Sequence, residues 1–186
     1  MTAESTLKDA DHKMHRTVEV TREEFTTVRT GRASPAILNR LTVDYYGSPT
    51  PINQLASFSV PEPRLLVIQP YDKNSMSAME KAIMQSDLGL TPSNDGNVIR
   101  LAFPQLTEER RKELIKVVHQ RAEEGRVSVR NVRRHAKEEL ERLKKDGEIS
   151  EDDLARAERD LQKATDRFVG EIDEMLRHKE QELMEV

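Results

Sequence analysis

The stretch SVRNVRRHAK, residues 128–137, concentrates cations in a chain with a formal net charge of -4. At about 100° per residue on a helix, its cations and one preceding arginine share one stripe beside an apolar seam. We call this set the cationic stripe: Arg126, Arg130, Arg133, Arg134 and Lys137. Guanidinium groups bind phosphate in planar, bidentate geometry, and few aromatic residues accompany them. The pattern predicts contact with the backbone of a structured RNA.

A solvated helix face is the alternative explanation for these cations. The stripe contains five like-charge pairs at spacings of three or four residues, which together would cost roughly 1 to 2.5 kcal/mol at low salt. We expect Glu123 and Glu138 to offset only part of that cost. A face selected for solubility would interleave charges of both signs, so the pair count favours phosphate binding.

The stripe lies in the one basic block of the chain. Residues 107–147 hold 13 Lys and Arg against 9 Asp and Glu, whereas residues 148–186 hold 6 against 13. The chain contains no Cys, which excludes disulfides and thiolate zinc sites and is typical of a reducing compartment. No apolar run approaches the ~20 residues that a membrane span needs. We therefore expect a cytoplasmic protein that does not contact membranes.

The sequence offers no convincing catalytic site. His12 and His15 have a spacing that metal ligands can use, but no carboxylate completes the set. Asp152 and Asp153 stand where a helix N-terminus attracts negative charge, although a hydrolase using them is an alternative that Asn substitutions would test. Glycine-rich phosphate loops and metalloprotease motifs are absent. We predict a protein that is not an enzyme and holds no metal and no cofactor.

Long amphipathic helices are predicted at both ends of the chain. Leu7, Met14, Thr21 and Val28 recur every seven residues, which predicts one helix ended by Gly31 and Pro35. A second seam follows residue 106, at Leu114, Val118, Ala122, Gly125, Val129, Val132, Ala136, Leu140 and Leu143. A third comprises Leu154, Ala157, Leu161, Ala164, Phe168, Ile172, Met175, Lys179 and Leu183. Single-stripe helices cannot bury their faces alone, so residues 1–30 and 107–186 should form an elongated antiparallel three-helix bundle.

The turn between the second and third helices has its own signals. Gly147 is placed for a left-handed C-cap, and Ser150 with Asp153 has the spacing of a capping box. All eight prolines fall between Pro35 and Pro104, so residues 31–106 should be a different structure. Strands are predicted at 41–46, 58–60, 65–69 and 98–103, and a helix at 75–88. The predicted turns are marked by Gly47, Pro49, Pro51, Pro61, Pro63 and Asp95-Gly96. The fold class is therefore α+β, with a small α/β domain inserted into the bundle.

The two chain crossings between these domains are predicted to act as hinges. They are short and marked by Gly and Pro, at 31–34 and 103–106, so relative motion of the domains is expected. The predicted hinge residues are Arg29, Thr30, Gly31, Arg32, Ala33, Ser34, Phe103, Pro104, Gln105 and Leu106. Cations favoured at a helix C-terminus explain Arg29 and Arg32 adequately. Arg111 lies in an N-terminal helical turn, where a cation opposes the helix dipole, and this mildly favours a contact role.

Five motifs, in this order and spacing, carry a family resemblance: VRTGRASP, YYGSPTPINQLAS, SDLGLTPSNDG, PQLTEERRKEL and VSVRNVRRHAKEEL. With them the chain resembles the bacterial ribosome recycling factor family over nearly its whole length. The resemblance implies an L-shaped monomer whose bundle binds large-subunit ribosomal RNA. It also implies that the protein, with elongation factor G and GTP, splits the post-termination ribosome and frees mRNA and tRNA. The family's motif arginines fall on Arg130, Arg133, Arg134 and Arg111.

A structural adaptor whose helix faces bind a protein partner is the other class of function considered. Retention on pelleted ribosomes, with and without a high-salt wash, would distinguish the adaptor from a ribosome-binding factor.

Overall fold

The computed structural model describes residues 2–185, which form two compact units. One unit combines the segment ending at Arg29 with Glu108–Glu185, and the other is Thr30–Thr107. The helices are α1 (Ala3–Thr26), α2 (Met76–Gln85), α3 (Glu108–Lys145) and α4 (Glu151–Met184). The first unit is a bundle of α1, α3 and α4, and the second contains α2 and all of the strands. This confirms the predicted α+β class.

The seam of α3 is buried as its apolar periodicity predicts. The buried residues are Leu114, Val118, Ala122, Gly125, Val129, Ala136, Leu140 and Leu143, and only Val132 of the predicted set is half-buried. Helix α4 runs antiparallel to α3, because Arg126 pairs with Asp173 whereas Lys137, farther along α3, reaches back to Glu158. The cations of α3 are therefore positioned by a dry seam on one side and by α4 on another.

The seam of α4 differs from the prediction at four of its nine positions, because Leu154, Ala164, Met175 and Lys179 are half-buried. The helix also buries Thr165 and Leu176, which were not predicted. The Thr165 hydroxyl donates to the Leu161 carbonyl at 2.8 Å, so its burial leaves no polar group unsatisfied. A prediction that counts apolar residue types misses a threonine whose hydroxyl is satisfied within its own helix.

Helix α1 ends earlier than predicted. It stops at Thr26, although its apolar repeat continues to Val28, which is buried outside the helix. The hydroxyls of Thr26 and Thr27 donate to the carbonyls of Glu23 and Glu24 at 2.6 and 2.7 Å. Threonine side chains that bond the backbone locally compete with continued helix, which explains the early end.

The turn between α3 and α4 has the predicted caps. Gly147 has a φ of 74°, and its N–H donates to the Lys144 carbonyl at 3.0 Å. The Ser150 hydroxyl accepts from the Asp153 N–H while the Asp153 carboxylate accepts from the Ser150 N–H. This reciprocal capping box is confirmed, and it fixes where the acidic end of α4 begins.

The second unit contains two antiparallel sheets. Its strands are β1 (Thr42–Tyr45), β2 (Ser48–Pro51), β3 (Ala56–Glu62), β4 (Leu65–Pro70), β5 (Pro92–Asn94) and β6 (Ile99–Ala102). β1 pairs with β2, and the larger sheet has the order β3-β4-β6-β5. One face of the larger sheet buries Leu66, Ile68, Ile99 and Leu101 in the same core as the α2 side chains. Helix α2 ends at Gln85, before the predicted residue 88.

Of the four prolines that were assigned to turns, three lie in strands and only Pro63 does not. Pro49 and Pro51 lie within β2, and Pro61 lies in β3 at the register shift between Ser59 and Glu62. Strands β2 and β3 are edge strands. An edge strand can contain proline, because the missing N–H can face away from the neighbouring strand, and it also tolerates a bulge. Proline therefore marks strand edges here, which is why β2 was not predicted.

Candidate functional site

The cationic stripe lies along the side of α3 that faces α4. Arg133 Nη1 donates to Gln162 Oε1 at 2.9 Å, and Lys137 Nζ lies 3.5 Å from Glu158 Oε1. Together with α4, all of the stripe except Arg126 lines an open groove. The charged residues of the groove are Arg130, Arg133, Arg134, Lys137, Glu158 and Arg159. The groove is thus lined by five cations and one carboxylate, and it is open to a ligand that carries negative charge.

Arg126 differs from the rest of the stripe because it is tied into the bundle. Its Nε lies 2.7 Å from Asp173 Oδ1, its Nη1 lies 2.9 Å from Glu123 Oε2, and its side chain is only 18% exposed. Burial disfavours the guanidinium charge, but the two carboxylates outweigh that effect and raise the pKa of Arg126. Arg126 joins α3 to α4 and does not line the groove.

The carboxylates that offset the stripe are only partly the ones predicted from sequence. Glu138 interacts with His135 at 3.6 Å rather than with the stripe. Asp173, Glu158 and Glu141 contribute instead, and all but Glu141 lie on α4. The prediction was right for Glu123 and wrong for Glu138. The sequence alone does not show which carboxylates of α4 lie beside the stripe, because this depends on how the two helices are aligned. The repulsion within the stripe is accordingly smaller than the sequence count implied.

Arg130 and Arg134 are the most available cations of the stripe. Arg130 is 48% exposed, and its only contact among the described residues is a 3.5 Å approach to Glu123. Arg134 is exposed and makes no hydrogen bond or ion pair within residues 2–185. Arg133 is half-buried and bonded to a neutral amide, which orients its guanidinium without neutralising it. These three arginines can bind anions without first breaking a close ion pair.

All of the predicted hinge residues except Arg29 lie in the second unit, and backbone hydrogen bonds hold two of them there. Ala33 N–H donates to the Pro63 carbonyl at 2.7 Å, and Phe103 N–H donates to the Arg64 carbonyl at 2.8 Å. Gly31 has a φ of 74°, and a Cβ there would lie 3.2 Å from Leu106 Cγ. The segments 31–34 and 103–106 thus belong to Thr30–Thr107, whose ends lie just outside them. Arg111 is half-buried in the first turn of α3.

The other candidate chemistry is accounted for by structure. His15 packs edge-on against Phe168, with ring centroids 6.3 Å apart. The Ser150 hydrogen bonds lower the pKa of Asp153, which serves as a helix cap. Within residues 2–185 no cluster of His, Asp and Glu has an arrangement that would hold a metal ion. None of the helices described combines the length and apolar character that crossing a bilayer requires.

Comparison with known proteins decides the family. The model of the family described as "Ribosome recycling factor" matches residues 21–184. A ribosome-recycling factor from Thermobifida fusca is 59% identical over 183 residues, which cover 98% of this chain and 99% of that protein. This chain belongs to the ribosome recycling factor family.

Solved structures of ribosome recycling factors share the fold along the whole chain. A solution structure of the ribosome recycling factor has a TM-score of 0.82 and 47% identity, covering 100% of this chain and 99% of that one. A second has a TM-score of 0.70 and 46% identity, covering 98% and 99%. It is described as models for the T. thermophilus ribosome recycling factor and the E. coli elongation factor G bound to the E. coli post-termination complex.

One groove residue was not predicted from the sequence. Arg159 lies on α4 and faces the groove together with the arginines of α3. A weak signal for Arg159 is present in the sequence, since it is one of six Lys and Arg residues in the acidic segment 148–186. Only the packing of α4 against α3 shows that it adds to the stripe.

Proposed function

We propose that this chain binds the post-termination ribosome and, with elongation factor G and GTP, promotes separation of the subunits and release of mRNA and tRNA. Membership of the ribosome recycling factor family supports this proposal. So does the relative described as bound, with elongation factor G, to a post-termination complex. In this proposal the chain acts as a monomer in the cytoplasm, hydrolyses nothing itself and needs no cofactor.

We propose further that the groove of α3 and α4 binds the phosphate backbone of large-subunit ribosomal RNA. The single observation that carries this proposal is the excess of five cations over one carboxylate in an open groove. Arg130 and Arg134 would bind phosphate oxygens directly, and Arg133 would bind through the guanidinium nitrogens that Gln162 leaves available. Bidentate guanidinium contacts suit an RNA backbone held in fixed geometry.

The remaining cations have different parts in the proposal. Lys137 contributes a point charge that its 3.5 Å and 3.7 Å approaches to Glu158 and Glu141 only partly neutralise. Arg126 holds α3 and α4 in the register that forms the groove, because it bonds both Glu123 and Asp173. Arg111 would make a separate RNA contact near the start of α3.

The second unit would be moved relative to the bundle during recycling. We propose that bending occurs at the ends of Thr30–Thr107, because 31–34 and 103–106 are hydrogen-bonded into that unit. Elongation factor G would apply force to Thr30–Thr107 while the groove anchors the bundle on ribosomal RNA. The anchoring arginines lie about 35 Å along α3 from its start, so force and anchor act at well-separated points.

A salt titration of ribosome binding tests the RNA face. Replacing Arg130 and Arg134 together with Ala should weaken binding to large subunits and lower the slope of log affinity against log salt by about 1 to 2. Arg142→Ala is the matched control, since Arg142 is exposed on α3, pairs with Glu139 and does not line the groove. Equal affinities and slopes for the double variant and the control would contradict the assignment of this face.

A further inference from the structure

Two of the three tyrosines of the chain share one carboxylate in the second unit, and the third is its neighbour in sequence. The hydroxyls of Tyr45 and Tyr46 donate to Asp72 Oδ2 at 3.2 and 3.3 Å, and Tyr71 precedes Asp72 in the chain. The rings of Tyr45 and Tyr46 meet edge-on, with centroids 4.6 Å apart. We call Tyr45, Tyr46, Tyr71 and Asp72 the tyrosine patch. Aromatic residues are only 4% of this chain, so their concentration at one place requires an explanation.

The patch is largely exposed and is not part of the core of its unit. Tyr46 is 78% exposed and Tyr71 is 73% exposed, so folding buries little of either ring. Tyrosine is enriched at protein interfaces, because a rigid ring with a polar tip supplies contact area at a low cost in entropy. The exposure therefore indicates a surface that is covered when a partner binds.

The backbone conformation at Tyr46 also favours a binding role for this surface. Tyr46 and Gly47 form the two-residue loop between the paired residues Tyr45 and Ser48, and both have positive φ, 50° and 81°. Such loops prefer Asn-Gly, since a bulky side chain is strained in the left-handed region. The fold would accept Asn more readily at this position. Strain retained beneath an exposed ring is typical of a functional position.

The charges around the patch define what it can bind. Donation from the Asn74 N–H, and from the two tyrosine hydroxyls, lowers the pKa of Asp72, so this carboxylate is anionic at neutral pH. Asp44 lies in the same hairpin, where it accepts from the Gly47 N–H at 2.9 Å. The adjacent cation, Lys73, donates to Asn97 Oδ1 at 2.8 Å. The Asp72 carboxylate against the tyrosine hydroxyls, with Asp44 in the same hairpin, attracts cationic groups and repels phosphate.

We propose that the tyrosine patch docks a cationic segment of a protein partner, with an Arg or Lys of that segment over the Tyr46 ring and beside Asp72. The ring supplies a cation–π contact and the carboxylate supplies charge complementarity. This inference goes beyond the RNA-binding groove, because it concerns the second unit and a ligand of opposite charge. Either proposal can fail without the other.

Amide NMR of the isotope-labelled full-length chain provides the test. The probe is the capped peptide acetyl-Gly-Arg-Gly-Arg-Gly-amide, and the same peptide with citrulline in place of arginine is the uncharged control. The arginine peptide should give saturable shifts of the Gly47, Asp72 and Lys73 amides, and the citrulline peptide should not. Equal shifts with both peptides, or shifts confined to the acidic residues 148–186, would overturn the proposal. Shifts of the patch amides by an oligouridylate instead would make it a nucleic-acid surface.

Tyr46→Asn separates binding from folding. Asn suits the positive φ of this turn, so the unfolding midpoint should be unchanged or higher, while affinity for the arginine peptide should fall about 2- to 5-fold. Asp72→Asn should also weaken binding of the peptide. Unchanged affinity in Tyr46→Asn would refute the proposal, and so would a fall in its midpoint of more than about 10 °C, since Tyr46 would then be a structural residue.

Discussion

Replacing Gly125 with Ala tests how closely α1 and α3 pack. A Cβ at this position would lie 2.6 Å from Thr21 Oγ1 and 3.2 Å from Ile172 Cδ1. Overpacking a close contact in a core costs about 1 to 3 kcal/mol, whereas Ala is favoured over Gly in a helix by about 1 kcal/mol. Because the Thr21 contact is far shorter than a van der Waals contact, we expect a net loss of about 1 to 2 kcal/mol in the free energy of unfolding.

The chain provides a matched control and a rescue for this substitution. Gly170 of α4 is exposed and a Cβ there would meet no atom within 4 Å, so Gly170→Ala should stabilise the protein by about 0.5 to 1 kcal/mol. In a Thr21→Ala background, Gly125→Ala should cost less, with a coupling energy of at least about 1 kcal/mol. Urea unfolding followed by far-UV circular dichroism measures the free energy of unfolding of the unaltered protein, the three single variants and the double variant. Stabilisation by Gly125→Ala, as by Gly170→Ala, would refute the close packing.

Two further predictions concern the second unit. Hydrogen bonds from the Val98 and Asn97 N–H groups, and the Arg100 guanidinium, hold the pKa of Asp95 well below its ordinary value. Above about pH 4 the thermal unfolding midpoint of Asp95→Asn should therefore be lower than that of the unaltered protein, and this difference should shrink as the pH falls. A difference in midpoint that is the same at every pH would contradict this. Gly31→Ala should destabilise the second unit by about 1 to 2 kcal/mol, because Gly31 has a positive φ and lies against Leu106; amide hydrogen exchange that is unchanged in Thr30–Thr107 would show the reasoning to be wrong.

The elements that follow from local pattern were predictable from the sequence. The α3 seam from Leu114 to Leu143 was predicted nearly in full, because its buried residues are apolar or small at helical spacing. The capping box at Ser150 was predicted because its two hydrogen bonds depend on a three-residue spacing. Lys179 was placed in the α4 seam, and its side chain is only 15% exposed, since a lysine stem can lie along apolar surface while its charge stays in water.

The remainder depends on which residues meet in space. Arg159 joins the cationic groove, and Asp173 binds Arg126, only because α4 packs antiparallel to α3 in one register. Strand β2 was missed because Pro49 and Pro51 are unusual in a strand. They are tolerated because β2 is an edge strand that pairs only with β1. The tyrosine patch is equally invisible, since Tyr46 and Asp72 are far apart in the chain. The candidate site was thus predicted on α3 and completed by contacts from α4.

The most direct test of the central claim is splitting of a defined post-termination complex. Light scattering would follow separation of the subunits in the presence of elongation factor G and GTP, with this chain, without it, and with its Arg130→Ala/Arg134→Ala variant. We expect splitting to depend on the chain and to be slower with the variant at subsaturating concentration, with Arg142→Ala behaving as the unaltered protein. Splitting at the same rate with and without the chain would contradict the proposed function.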